Sequence, residues 1–130
     1  MTRNEARENM MKIMYEMDAS KSMDKDTACR LCGERLSGNH VERGKNLLSK
    51  IIDNIDLIDD EINKYSRSWK TARMPKVDLA IMRLALGEIK YSEDISDAVA
   101  VSEAVGMAGK YSTPRSSKFI NGVLGAVTGK

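Results

Sequence analysis

The side chains with the clearest chemistry are cations at the two ends of the chain. Near the C-terminus stands the run Lys118-Phe119-Ile120-Asn121-Gly122-Val123-Leu124, and from Ala104 to Lys130 the only charged residues are Lys110, Arg115, Lys118 and Lys130. A tail without acids presents a purely positive surface, which suits a polyanion. Arg3, Arg7 and Lys12 supply further cations near the other end. Brought together, the two ends make a basic surface beside a helix N-terminus, where free amide N–H groups and the helix dipole favour phosphate. Single-stranded RNA is the polyanion such a surface reads best, because its exposed bases can stack and be hydrogen-bonded. Phe119 offers a ring for stacking, although a phenyl ring serves a core at least as well.

Other constellations are weaker. Cys29-Arg30-Leu31-Cys32 has the spacing of half a zinc site, and His40 is the one histidine of the chain. That set falls short of the two spaced ligand pairs of a structural zinc, so the cysteines read as small apolar helix-face residues and no metal is assigned. No nucleophile, base and orienting group assemble, and neither a P-loop nor a dinucleotide-binding glycine pattern occurs, so no catalytic residue and no cofactor is expected. Lys64, Arg67, Lys70, Arg73 and Lys76, interleaved with Tyr65 and Trp69, look like a charged strip with stacking rings. The simpler reading is a connector with a solvated basic face and Trp69 anchored in a core.

The elements that must position these residues are helical. Apolar residues recur at helical spacing and no stretch alternates with period two, which predicts an all-α fold. Ala6, Met10, Ile13, Met14 and Met17 form a first stripe. Ala28, Leu31, Cys32 and Leu36 mark a short helix ending near Gly38-Asn39. A third helix is expected from about Val41 to Tyr65. Pro75 starts another, bearing Val77, Ile81 and Leu84. Ser92 to Asp97 precede a helix with Val101, Ala104, Val105 and Ala108. Thr113-Pro114 reads as N-cap and first turn of the last helix. Glu88 shares the stripe of residues 77, 81 and 84, so its carboxylate needs an Arg or backbone amides as partner. Gly122, inside the last helix, predicts close approach of another helix or a kink.

The 130 residues with a net charge of +2 fit one domain that can enclose a core. The charge is patchy: Ile51 to Asn63 holds Asp53, Asp56, Asp59, Asp60 and Glu61 without a base. With two cysteines and no apolar run near the roughly 20 residues of a membrane span, a reducing cytoplasm is the simplest compartment.

Four segments together resemble the NusB family. They are Ala6-Arg7-Glu8 with Tyr15, then Trp69 and Val77-Asp78-Leu79-Ala80-Ile81-Met82-Arg83-Leu84-Ala85 with Glu88, then Ala98 to Val105 with Lys110, and finally Lys118 to Leu124. The similarity covers nearly the whole chain and is weakest between Ala19 and Glu42. It implies the NusB-like all-α fold of about seven helices in two small bundles, with an N-terminal subdomain over about 1–65 and a C-terminal one over about 75–130. It also implies transcription antitermination: binding of boxA RNA together with NusE, a small-subunit ribosomal protein, and union with other Nus factors on RNA polymerase, notably on ribosomal RNA operons. Carried across, Arg3, Arg7, Lys118 and Phe119 are the expected RNA contacts, and Tyr15 and Asp78 the expected NusE-facing pair. Arg83 and Glu88 are kept as structural. Asn4 and Glu5 stand where the family often has arginine, which predicts weaker RNA binding by the isolated chain. Two other readings remain open. One is a protein-interaction module without RNA recognition, and the other a detached RNA-binding domain of an RNA cytosine methyltransferase. Self-association as a homodimer is compatible with all three.

Overall fold

A computed structural model describes residues 1–67 and 69–129. Its described residues form seven helices and no strand: α1 (Arg3–Ala19), α2 (Lys25–Arg35), α3 (His40–Asp53), α4 (Ile55–Tyr65), α5 (Lys76–Tyr91), α6 (Asp97–Tyr111) and α7 (Pro114–Val127).

Local chemistry sets several of these boundaries. Thr2 and Glu5 form a reciprocal capping box at the start of α1. Asp24 accepts from the Thr27 N–H and Ser96 from the Val99 N–H, opening α2 and α6. Thr113 caps α7 with Pro114 in its first turn, as the sequence predicts.

The single helix expected over residues 41–65 is two. Asn54 leaves helical geometry at φ −121°, and its side-chain amide donates to the Lys50 carbonyl at 2.8 Å. That bond offers the backbone an alternative to continuing the helix. The break matters for packing: α3 lies on α1, α2 and α5, whereas α4 turns away to lie on α5 and α7. Ile51 before the break and Ile58 and Ile62 after it are all fully buried.

Helix α5 is the axis of the molecule. Every residue from Asp78 to Glu88 is buried, and α1, α3, α4, α6 and α7 all pack against it. A helix covered on all sides is apolar all round, apart from the polar groups that find partners. Arg83 is one of these, holding Asp59 of α4 through Nε at 2.9 Å and Nη2 at 2.7 Å. Gly87 is forced by contact: a Cβ there would run into the Ile51 side chain of α3.

Gly122 corrects an expectation. Nothing lies within 4 Å of where its Cβ would stand, and α7 runs through it without interruption. Its residue faces the surface, beside a groove between α6 and α7, and no close packing offsets its helical cost.

Candidate nucleic-acid interface

Of the N-terminal cations, Lys12 alone reaches the place where α6 gives way to α7. Glu8 of α1 accepts from the Tyr111 hydroxyl at 2.6 Å and from Lys110 Nζ at 2.9 Å, which ties the middle of α1 to the end of α6. The Tyr111 hydroxyl and then the Lys110 ammonium hold the Glu8 carboxyl below its ordinary value, against a smaller opposing effect of desolvation. The ammonium groups of Lys12 and Lys110 lie 5.3 and 5.2 Å from the centre of the Tyr111 ring. Beside them runs an open groove lined by Met11, Lys12, Tyr15, Lys76, Val77 and Tyr111. Tyr15, 41 % exposed, stands at its edge. Arg115 and Lys118, both exposed, follow in the first turns of α7.

A chain of hydroxyls holds that first turn in place. Ser112 and Thr113 donate to Ser116 Oγ at 3.0 and 3.1 Å, and Ser116 donates onward to Asp78 Oδ2 at 2.7 Å. Asp78 is fully buried in the first turn of α5, where the helix dipole favours a carboxylate, and its other oxygen has no hydrogen-bond partner. The expectation that Asp78 faces a partner protein is therefore corrected. Its side chain is enclosed, and its visible work is to fix α7 against α5.

Arg7 requires a second correction. It is 3 % exposed, with Nε and Nη2 on the Glu88 carboxylate at 3.0 to 3.2 Å, Nη1 3.4 Å from Asn4 Oδ1, and Glu103 at 3.8 Å. The arginine expected to reach phosphate is enclosed between α1, α5 and α6, and it is the partner that the position of Glu88 demands. Arg7 and Glu88 stand on separate helices 81 positions apart, so the sequence gave no signal of their pairing.

The other expected residues fall as follows. Lys118 is exposed. Phe119 is half-buried, meeting Trp69 edge to face with ring centres 5.2 Å apart and planes at 73°. Trp69 thus packs against the core through α7, matching the anchoring reading. Within the basic strip, Lys70 donates to the Asn63 and Ser66 carbonyls at 2.9 Å, closing the end of α4. Arg3 is exposed but leaves α1 on roughly the opposite side from Lys12, nine positions later. It meets Asp94 at 2.7 Å instead of the α6–α7 junction. Tyr111, Glu8 and Ser116 escaped sequence reasoning; the pairing of an aromatic with Lys110 at a helix end was the one available signal.

Cys32 is buried, and burial with the neighbouring Cys29 pushes its thiol up to about 11. A thiol so hard to ionise is a poor metal ligand or nucleophile. No cluster of metal-binding side chains occurs among the described residues.

Helices wound about one buried axis, with cations gathered at the α6–α7 junction on the outside, define a small all-α protein. A solved structure of T. maritima NusB shares this fold with a TM-score of 0.89 and 27 % identity, covering 100 % of this chain and 92 % of that one. The family model described as the NusB family matches residues 4–129. Among similar proteins, the transcription antitermination protein NusB of Finegoldia magna is 36 % identical over 98 % of this chain and 93 % of its own length. That of Thermoanaerobacter sp. is 40 % identical over 97 % and 89 %. The chain belongs to the NusB family.

Proposed function

We propose that this protein is a transcription antitermination factor that binds boxA RNA together with NusE and joins other Nus factors on RNA polymerase, promoting ribosomal RNA transcription. The observation that carries the reading is the meeting of α1 with the end of α6, where Lys12, Tyr15, Lys76 and Tyr111 line one groove and the exposed Arg115 and Lys118 follow in the first turns of α7. Cations there attract phosphate, and the Tyr111 ring offers a face on which a base can stack. Lys118 and Arg115 are the assigned phosphate contacts, with the half-buried Phe119 a further candidate next to Lys118 in the chain. Arg3 is a further RNA contact, and Arg7 acts by fixing α1. Tyr15 is the residue assigned to NusE. The role requires binding and no catalysis. It belongs in the cytoplasm with the transcription machinery, and no helix among the described residues is long and apolar enough to cross a membrane.

Neutralisation of Lys110 by Glu8 and of Arg3 by Asp94 leaves few free cations, which favours an RNA surface that NusE completes. The test is fluorescence anisotropy of labelled boxA RNA and a scrambled control, titrated with this protein alone and with NusE near physiological salt. Preferential boxA binding, strengthened by NusE, is expected. NusE binding with indifference to RNA sequence would instead leave a protein-interaction module.

A further inference from the structure

Asp94, in the connection between α5 and α6, bridges two arginines from different helices. Its Oδ2 accepts from Arg3 Nη2 of α1 at 2.7 Å and from Arg43 Nη2 of α3 at 2.8 Å. One carboxylate oxygen held between two guanidinium groups has the geometry with which proteins hold a phosphate oxygen. Behind the bridge lies a cavity of about 30 Å³, whose lining includes Arg3, Arg7, His40 and Arg43. It has room for roughly one water. His40 Nε2 lies 3.2 Å from the Met1 carbonyl and so holds the chain start over the same spot. The carboxylate that lines the cavity, Glu88, is already taken by Arg7.

We propose that Arg3 and Arg43 form a phosphate-binding site which the protein's own Asp94 carboxylate fills until a nucleic-acid phosphate displaces it. The RNA part of this proposal rests on the antitermination reading; the anion site itself does not.

Displacement is physically easy. The side chains of Arg3, Arg43 and Asp94 are 47, 36 and 57 % exposed, so the bridge is hydrated and screened by salt. Asp94 lies outside both flanking helices, and its departure breaks no helical hydrogen bond. A phosphodiester matches the carboxylate in charge, and its two non-bridging oxygens, set farther apart on a tetrahedral phosphorus, can give each arginine a separate acceptor where Asp94 offers both the same Oδ2. Arg43 is the new residue here, since it joins α3 to the RNA surface. Arg3 and Lys12 leave α1 on roughly opposite sides, so a strand that reaches both must cross the N-terminal end of that helix.

The test compares the parent chain with Asp94→Asn, Arg43→Gln and the double variant. Two probes are used: tripolyphosphate by isothermal titration, and labelled boxA RNA by anisotropy across a salt series. Asp94→Asn should bind tripolyphosphate about fivefold more tightly, and should steepen the RNA salt dependence by about the one phosphate contact it releases. Arg43→Gln should abolish both gains in the double variant. Unchanged or weaker tripolyphosphate binding by Asp94→Asn, with thermal unfolding intact, overturns the anion site even where boxA preference stands. A gain on tripolyphosphate with no RNA binding by any variant supports the site and sinks the antitermination reading instead.

Discussion

Arg7 and Glu88, 81 positions apart, meet as a charged pair that is almost wholly enclosed, with three guanidinium-to-carboxylate hydrogen bonds between 3.0 and 3.2 Å. Burying two ions is costly, and their value lies in each other's presence. Arg7→Met should therefore lower stability by about 3–5 kcal/mol, because it strands the Glu88 charge. Arg7→Met with Glu88→Leu should recover much of that loss. Chemical denaturation of the single and double variants checks both outcomes. Equal losses in all three would show that the pair is not coupled.

The same substitution at two glycines should act in opposite directions. Gly87→Ala drives a methyl into Ile51 and should cost about 1–3 kcal/mol. Gly122→Ala meets open space and should gain about 0.8–1 kcal/mol through helix propensity alone. Midpoints of urea unfolding decide. A double cycle of Gly87→Ala with Ile51→Ala should show coupling, since both changes act on one contact.

Lys118→Gln should weaken boxA binding several-fold and reduce the salt slope by about 0.7, the share of one single-strand phosphate contact. The side chain is exposed, so helicity and thermal stability should stay as they are. A loss of affinity with an unchanged slope would argue against a phosphate contact.

Glu8 ties α1 to α6 through a carboxylate held below its ordinary value of 4.5 by the Tyr111 hydroxyl and the Lys110 ammonium. A depressed carboxyl contributes stability in full above its unfolded value, and that contribution fades as pH falls through the folded value. Acid unfolding of the parent should therefore be steeper below about pH 4.5 than that of Glu8→Gln. Circular dichroism at a series of acid pH values measures the difference. Identical acid curves would remove Glu8 from the list of stabilising contacts.

The helices and several of their ends are legible in the chain because local signals decide them. The Thr113-Pro114 start of α7, for example, is a matter of one hydroxyl and one ring. The Asn54 break was not, because Leu47, Leu48, Ile51, Ile55, Ile58 and Ile62 keep apolar residues coming at helical spacing straight through it, and only packing on α5 and α7 shows the turn. Glu88 was recognisable as a charge needing a partner, since its own stripe is apolar. Arg7 was not recognisable as that partner: an arginine near a chain end carries the same letters whether it faces water or a buried carboxylate. Asp78 failed for the same reason. Its neighbours in sequence say nothing of Ser116, 38 positions away.

Because α1, α3, α4, α6 and α7 all close on α5, neither half of the chain owns a complete core. Cutting the molecule in the connection before Pro75 would leave one fragment without the wall its apolar stripes need and another without α4 to cover α5. Neither piece should fold by itself, while the two mixed should reassemble around the shared helix. The intact chain should accordingly lose its structure in one cooperative step, with the ends of α1 and α7 melting together despite their distance along the sequence.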